Sequence, residues 1–350
     1  MIESIQIHNF RCFRKLSVDG LRRINIIVGA NASGKTALLE AVFLASGASP
    51  QLVLKLKTWR GMGEEVQLSR NRRDYESLWE DLFFGFDQKQ IISIALKGSP
   101  ERTRDLIIRY ETHGTLALPL GEQAIDATAV VPIIFEWTKN SQVEFTSKPE
   151  ITEKGFLVPS GGVSYPCTFY STIVKAATPR ETAARYSELS KLGKENLIVA
   201  ALRRDYSYIE GLSVEIGAGI PMVYAKVRSI DVKIPVALVS QGLGQLLNYL
   251  LAIASSPRGI VLIDEIETGF YHERLASVWS SLFHFGNSYD TQLFVTTHSR
   301  ECLRALLSVL RDNEREFCLI RAQREDGECT LRRIEGTDFR SALEDEVEIR

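Results

Sequence analysis

The sequence contains no long apolar run. None of its 350 residues lies in an uninterrupted apolar stretch of about 18, the length that a membrane-spanning helix requires. The opening letters, MIESIQIHNFRCF, also lack the basic-then-apolar layout of a signal peptide. We therefore expect a cytoplasmic protein without a membrane partner.

The chain also lacks an excess of one charge and a paired cysteine motif. Lys and Arg number 42 against 44 Asp and Glu, so no overall field attracts nucleic acid, and any contact with DNA depends on local patches. The five cysteines form no C-x-x-C pair and no metal-ligand spacing with the five histidines. We therefore expect reduced thiols rather than disulfides or a zinc site.

The two ends of the chain have the pattern of an α/β protein. The letters RINIIVGA and GIVLIDE are apolar without alternation, as in strands that are covered on both faces. ESIQIHNFRCFRKLSVDGL alternates, with Ile5 and Ile7 on one face, and predicts one strand before RINIIVGA. Apolar residues recur at helical spacing in three segments, which predicts helices in KTALLEAVFLASG, HERLASVWSSLFHFG and RECLRALLSVLRD.

The middle of the chain predicts a mixed segment. IISIALKG and RDLIIRYET resemble paired strands, and PRETAARYSELSKLGKENLIVAALRRD is typical of a solvated helix. No repeat or heptad pattern occurs there. Near the C-terminus, a hairpin is predicted to turn at Asp326 and Gly327.

A complete phosphate-binding loop stands between the predicted strand RINIIVGA and the helix after it. GANASGKT matches G-x-x-x-x-G-K-[ST], in which glycines let the main-chain N–H groups surround phosphates and the helix N-terminus adds positive charge. Lys35 is predicted to reach the β- and γ-phosphates and Thr36 to hold Mg²⁺. The predicted nucleotide-binding residues are Gly29, Ala30, Asn31, Ala32, Ser33, Gly34, Lys35 and Thr36.

Two carboxylates follow a second apolar strand, residues 260–263. Ligand sites of open α/β sheets lie at the C-terminal ends of strands, which is where Asp264 and Glu265 stand. Adjacent carboxylates are often only a solvated turn, but the phosphate loop upstream favours a catalytic interpretation. We expect Asp264 to bind Mg²⁺ and Glu265 to act as general base toward water.

A histidine ends the third strand, TQLFVTTHS. A lone histidine is more often structural than catalytic, but His298 follows a buried-type strand where its imidazole can contact a γ-phosphate. Further upstream, Ser240 and Gly242 in VSQGLGQ precede an apolar helix. By themselves they indicate an ordinary helix N-cap.

Together these motifs resemble the ABC-type ATPase heads of the RecF, SMC and OLD (overcoming lysogenisation defect) branch, and in particular the RecF-like AAA family ATPases of bacterial defence systems. GANASGKT corresponds to Walker A, IVLIDE to Walker B and His298 to the switch histidine. The resemblance implies that NFRCF lies beside the nucleotide, which adds Arg11 to the expected site. ETGFYHE resembles the D-loop, with Glu273 at the expected proline.

The resemblance gives VSQGLGQ a second role. In this family a Ser and a Gly before a helix form the signature motif, which completes the nucleotide site of a second head. Ser240 precedes Asp264 by 24 residues, similar to the usual separation. Ser240 and Gly242 are therefore expected to contact ATP across a homodimer or a higher homo-oligomer. A Q-loop glutamine stays unassigned among Gln88, Gln90, Gln123 and Gln142.

The implied fold is a P-loop NTPase of the ABC-ATPase head type, with an antiparallel β subdomain and an inserted helical lobe. We expect residues 1–49 and 236–322 to form a split nucleotide-binding core. Residues 50–235 form the inserted β and helical lobe, and residues 323–350 a C-terminal hairpin and tail.

Three functions stay open at this point. A regulatory ATPase of an anti-phage or toxin system would act on a protein effector encoded nearby, since no TOPRIM nuclease is expected and ALEDEVEIR resembles a solvated tail. A RecF-like clamp would bind DNA through basic clusters, although such clusters are usually solvated faces. A scaffold would only be stabilised by ATP. The basic clusters contain Arg70, Arg72, Arg73, Arg203 and Arg204.

Overall fold

The computed structural model describes residues 1–62, 72–99, 103–111, 116–117, 129–152, 155–159, 161–171, 178–310 and 313–334. The strands in chain order are β1 (Ile2–Phe10), β2 (Phe13–Asp19), β3 (Ile24–Val28), β4 (Ile92–Gly98), β5 (Arg104–Tyr110), β6 (Leu116–Ala117), β7 (Ala129–Val130), β8 (Ile133–Lys139), β9 (Gln142–Ser147), β10 (Glu150–Thr152), β11 (Gly155–Leu157), β12 (Cys167–Tyr170), β13 (Ile209–Gly217), β14 (Ile220–Val227), β15 (Ile234–Pro235), β16 (Ile260–Ile263), β17 (Gln292–Thr297), β18 (Phe317–Glu325) and β19 (Glu328–Ile334).

The helices are α1 (Lys35–Ser46), α2 (Gln51–Trp59), α3 (Arg72–Ser77), α4 (Pro179–Lys191), α5 (Glu195–Arg203), α6 (Val236–Val239), α7 (Gln241–Ser255), α8 (Leu275–Ser288) and α9 (Arg300–Leu310). Short 3₁₀ turns span Glu80–Leu82, Phe84–Phe86, His272–Arg274 and Glu314–Glu316.

A mostly parallel sheet forms the centre of the molecule. Its strand order is β12-β16-β17-β3-β18-β19, and every neighbouring pair is parallel except the β18–β19 hairpin. The predicted strands therefore meet side by side, with β3 between β17 and β18. Because parallel strands end at the same edge, the loop after β3 lies beside the carboxylates after β16 and the histidine after β17.

Successive residues of the central strands face different hydrophobic cores. Ile26 of β3 packs in a core with α7, α8 and the helices α4 and α5, while Ile27 packs in a core with α1, β1 and β4. The same alternation holds in β17, where Val295 and Phe294 belong to opposite cores. Both faces of the sheet are covered, which explains the apolar runs without alternation.

An antiparallel sheet covers the α1 side, in the order β2-β1-β4-β5-β8-β9. The predicted pairing of β4 with β5 is confirmed. The prediction of one strand for ESIQIHNFRCFRKLSVDGL is wrong, because the chain turns after Phe10 and returns as β2. Asn9 and Arg11 have φ values of 57° and 50°, a left-handed backbone that reverses the chain at this point.

The two main sheets do not follow the predicted segment boundaries. β1 and β2 come from residues 1–49, yet β1 pairs with β4 of the 50–235 segment and brings β2 into the same sheet. Conversely, β12 lies within 50–235 and pairs in parallel with β16 at the edge of the core sheet. The boundary at 322 falls inside β18. Sheets are assembled from strands that are distant in the chain, so a division into contiguous segments misses this exchange.

The helical lobe contains α4 and α5 beside the sheet β13-β14-β15. The single predicted helix is two helices, because the chain breaks after Leu192 at Gly193, whose φ is 66°. Thr178 and Glu181 form a capping box that starts α4. An α/β head with an antiparallel subdomain and a helical lobe is therefore confirmed.

The C-terminal hairpin and the free thiols are also as predicted. β18 and β19 are antiparallel around Asp326 and Gly327, both with positive φ. All five cysteines are free. Within the described part of the chain, no helix is both long and apolar enough to span a bilayer. The acidic letters ALEDEVEIR lie outside the described residues.

Candidate nucleotide-binding site

The loop of residues 29–36 joins β3 to α1 and needs glycine at two positions. Gly29 and Gly34 have φ values of 151° and 96°, which favour glycine. A Cβ atom on Gly29 would lie 2.2 Å from the carbonyl oxygen of Ala322, and one on Gly34 would lie 2.9 Å from Cζ of Phe13. The main chain of the loop is therefore packed directly against β18 and the start of β2.

Lys35 lies almost buried at the start of α1. Its Nζ donates to the carbonyl oxygens of Gly29 and Ala30 at 2.8 and 2.9 Å, so the ammonium group is held within its own loop. Burial lowers the pKa of Lys35, and the carboxylates after β16 oppose that shift. The buried hydroxyl of Ser33 has no hydrogen-bond partner among the described residues. Phosphate oxygens would satisfy both groups.

Thr36 and Asp264 bring the two predicted metal-binding positions together. The Thr36 hydroxyl donates to Oδ2 of Asp264 at 2.9 Å, and Thr296 donates to Oδ1 at 2.6 Å. Burial raises the pKa of Asp264, while the bonds from Thr296 and Thr36 and the charge of Lys35 lower it. A hydroxyl and a carboxylate at this separation are the hard oxygen ligands that suit Mg²⁺.

Glu265 extends from the end of β16 in a left-handed backbone, with a φ of 50°. Its N–H donates to the Thr296 hydroxyl at 2.8 Å, which fixes this unusual conformation. The side chain is 34% exposed, so solvent can reach it. The position and the accessibility suit a general base.

His298 lies one residue after β17, next to both glutamates of the DEIE segment. Its Nδ1 is 3.1 Å from Oε1 of Glu267 and 3.8 Å from Oε1 of Glu265. The prediction did not include Glu267. A signal was present, because Glu267 is a third acidic residue directly after a buried strand. Glu267 and His298 also line a cavity of about 480 Å³.

Ser240 and Gly242 stand at the N-terminus of α7, as the sequence predicts. The Ser240 side chain accepts the Leu243 N–H at 3.5 Å and caps the helix. A Cβ atom on Gly242 would lie 2.9 Å from the Tyr206 hydroxyl and 3.0 Å from the Gly269 carbonyl. The predicted signature thus packs against the predicted D-loop of its own chain.

The D-loop letters ETGFYHE turn at Gly269, with a φ of 83°, and continue into the 3₁₀ turn His272–Arg274. Glu273, at the position expected for proline, lies in this turn and is exposed. Tyr271 is exposed as well. Polar and aromatic side chains therefore stand on the surface beside the helix that Ser240 caps.

Arg11 has different partners from those expected. Its Nε lies 2.6 Å from Oε2 of Glu40, and its Nη1 lies 3.0 Å from Oδ2 of Asp81. Glu40 is a buried residue of α1, and its carboxylate also pairs with Arg60. Lys57 pairs with Asp81 in the same cluster. A buried carboxylate requires nearby cations, and this requirement directs Arg11 toward α1.

Among the candidates that lie in the described part of the chain, none is identified as a Q-loop glutamine. Gln90 donates to Asp87, and Gln142 begins the edge strand β9, so both belong to the antiparallel-sheet side. Gln123 lies outside the described residues. The strand beside Asp264 is β12, and the sequence that leads from it to α4, STIVKAAT, contains no glutamine.

Of the two predicted basic clusters, the structure describes the side chains of only one, Arg203 and Arg204. Arg203 donates from Nε to the Ile209 carbonyl at 2.8 Å and from Nη2 to the Glu210 carbonyl, which holds it against β13. Arg204 is exposed. Arg70 lies outside the described residues, and for Arg72 and Arg73 only the helical main chain is described.

Comparisons with known proteins agree with this geometry. A family model described as "AAA domain" matches residues 4–151, and one described as "AAA domain, putative AbiEii toxin, Type IV TA system" matches residues 184–303. The protein named ATP/GTP phosphatase from Helicobacter pylori is 25% identical over an alignment of 358 positions, which covers 91% of this chain and 92% of that protein.

More distant similarities are local or structural. The DNA replication and repair protein RecF of Heliobacterium modesticaldum is 50% identical over 46 residues, 13% of this chain and 12% of RecF. A solved Smc head domain from Pyrococcus furiosus, bound to the C-terminal domain of ScpA, is 13% identical, with 99% of each chain covered and a TM-score of 0.49. The chain is thus similar to AAA-domain proteins over residues 4–151 and 184–303, and locally to RecF.

Proposed function

We propose that this chain binds ATP with Mg²⁺ and hydrolyses it to ADP and phosphate. The observation that carries the proposal is the 2.9 Å hydrogen bond between Thr36 and Asp264. It joins the helix that follows the phosphate loop to the acidic strand, with Lys35 beside them. This arrangement supports a site with two oxygen ligands for a metal and one cation for the phosphates.

Each residue has a definable part in this reaction. The loop N–H groups and Lys35 bind the β- and γ-phosphates, and Thr36 and Asp264 hold the metal. Mg²⁺, when bound, neutralises the charge that develops on the phosphates. Glu265 accepts a proton from the attacking water, and His298 contacts the γ-phosphate.

We infer that two copies enclose ATP head-to-tail. The N-terminus of α7 carries partial positive charge and main-chain N–H groups, which suit a γ-phosphate. Ser240 caps that helix in its own chain, and its side chain remains partly accessible. Contact with the nucleotide of a second copy therefore requires no change in the helix.

We favour control of a separately encoded protein effector, in a bacterial anti-phage or toxin system, as the output. The toxin-system family model matches the region with the helical lobe, α7 and the acidic strand, which supports this choice. A RecF-like DNA clamp in repair is the alternative, supported by local similarity to RecF. Arg203 and Arg204 are both exposed, so DNA binding is left to a direct test.

Nucleotide binding and phosphate release by the purified chain test the enzymatic part. Lys35→Ala should abolish binding of a fluorescent ATP analogue and the release of phosphate from ATP and GTP, because Lys35 is the one basic residue in the loop of residues 29–36. Lys15→Ala is the matched control, since Lys15 is exposed on β2. Undiminished turnover in Lys35→Ala would overturn the proposed site.

DNA binding separates the two outputs. We expect neither single- nor double-stranded DNA to bind tightly with ATP present. Tight binding that weakens steeply as salt is raised would instead favour the repair clamp, since phosphate contacts release counterions.

A further inference from the structure

Glu267 contacts both the main chain and the ring of His298. Its Oε1 accepts the His298 N–H at 3.0 Å and lies 3.1 Å from Nδ1 of the ring. Glu265, at 3.8 Å from the same nitrogen, is beyond hydrogen-bond distance. The two glutamates therefore differ in role, and Glu267 is the one bound to the histidine.

The main chain explains why the second glutamate returns to β17. The left-handed turn at Glu265 sends Ile266 into the core, where it is fully buried, and the Ile266 N–H donates to the Thr296 carbonyl at 3.1 Å. This bond extends the contact between the ends of β16 and β17. The next side chain, that of Glu267, consequently faces His298.

We propose that Glu267 is a positioning residue, which holds the His298 imidazole with Nδ1 toward the protein and Nε2 toward the bound nucleotide. A carboxylate at one ring nitrogen selects the tautomer with a proton there and fixes the ring plane. The bond from the main-chain N–H holds the carboxylate oxygen in place, and the contact of that oxygen with Nδ1 then restricts rotation of the ring. The catalytic consequence rests on the proposed hydrolysis, but the ring orientation does not.

The burial of Glu267 argues against a role in stability alone. Its side chain is 13% exposed, while that of His298 is 48% exposed. Oε2 is buried and accepts no hydrogen bond from the described residues, so the carboxylate is only half satisfied. A residue that served stability alone would use both carboxylate oxygens, because a buried acceptor without a partner is destabilising. The contact that is made is the one with His298.

Nitrogen NMR of isotope-labelled histidines tests the orientation without nucleotide, with His298→Asn to assign the signal. In the wild-type protein we expect the Nδ1-protonated tautomer. Glu267→Ala and Glu267→Asp should lose this preference, the second because the shorter side chain cannot reach both nitrogens. Glu267→Gln should retain it, since the amide oxygen still accepts from Nδ1. An unchanged signal in both Ala and Asp variants overturns the proposal.

Kinetics give the second measurement. Glu267→Ala should lower kcat for ATP by at least about 10-fold, as for other groups that orient an imidazole, with KM unchanged and Glu267→Gln intermediate. The control is Glu188→Gln, which removes an exposed carboxylate of α4 and should leave both constants unchanged. A higher KM with an unchanged kcat would contradict the positioning role. If the wild-type protein has no turnover but the Glu267 variants show the expected NMR change, the proposed hydrolysis is wrong. The positioning of His298 by Glu267 is then still supported.

Discussion

Thr296 binds both acidic residues of the Walker B strand through one hydroxyl. It donates to Oδ1 of Asp264 at 2.6 Å and accepts the N–H of Glu265 at 2.8 Å. Thr296 is fully buried, so its hydroxyl has no competing water. The carboxylate that we propose as a metal ligand and the backbone turn at the proposed general base therefore depend on the same side chain.

Thr296→Val should raise the Mg²⁺ concentration for half-maximal turnover by about 10-fold, as is typical when a partner of a metal ligand is lost. The hydrogen bond favours ionised Asp264, so its loss raises the pKa of that carboxyl further. The acid limb of Mg²⁺-dependent turnover should consequently move to higher pH. Thr296→Ser keeps the hydroxyl and serves as the control, and equal behaviour of the two variants would remove Thr296 from the site.

Glu265→Gln should bind ATP normally and hydrolyse it about 10²-fold or more slowly, because the amide cannot accept the proton of water. ATP that is not consumed should hold two heads together. Light scattering of this variant with ATP and Mg²⁺ is the measurement, and a persistent monomer contradicts the shared site. Turnover that is present in the wild type and lost here also excludes a scaffold that ATP only stabilises.

Ser240→Arg should leave ATP binding intact but stop dimerisation and hydrolysis, because the long cation obstructs the N-terminus of α7 where a second copy must approach. Ser240→Ala removes only the cap, at a cost of about 1 kcal/mol in stability, and is the control for helix fraying. Sedimentation with ATP and phosphate release give the result. Full turnover in the Arg variant would reduce Ser240 to a helix cap.

Glu40→Gln should lower the free energy of unfolding by about 3 kcal/mol, because it removes the buried carboxylate that Arg11 and Arg60 share and leaves Arg11 with Asp81 alone. Burial raises the pKa of Glu40, and Arg11 and Arg60 oppose this effect. Urea denaturation measures the change. The control is Glu188→Gln, which breaks an exposed pair with Lys191 and should alter stability little. Equal effects would show that burial of the cluster is unimportant.

The local motifs were predictable because each consists of residues that are adjacent in the sequence. The phosphate loop, the carboxylates after β16 and His298 each follow an apolar strand, and parallel pairing brings strand ends together. Thr36 and Asp264 therefore meet as the sequence indicates, although 228 residues separate them. The hairpin at Asp326 and Gly327 was equally local.

Nonlocal pairing was not predictable in the same way. β12 has only four residues, Cys167–Tyr170, and no periodicity that distinguishes a core strand from the strands around it. Arg11 pairs with Glu40, which is buried in α1. In the sequence, Glu40 looks like an ordinary polar residue of a helix. Glu267 and Thr296 matter through contacts across two strand ends, and these contacts appear only once the register of β16 and β17 is known.

The position of β3 between β17 and β18 has a consequence for synthesis on the ribosome. Asn25 of β3 bonds to Leu293, which is 268 residues later in the chain, and Gly29 packs against Ala322. The phosphate loop is therefore synthesised long before β17 and β18, the strands on either side of β3. Until both strands have emerged, the loop lacks the neighbours against which it packs. A chain that stops before β17 should consequently fail to form the proposed nucleotide site.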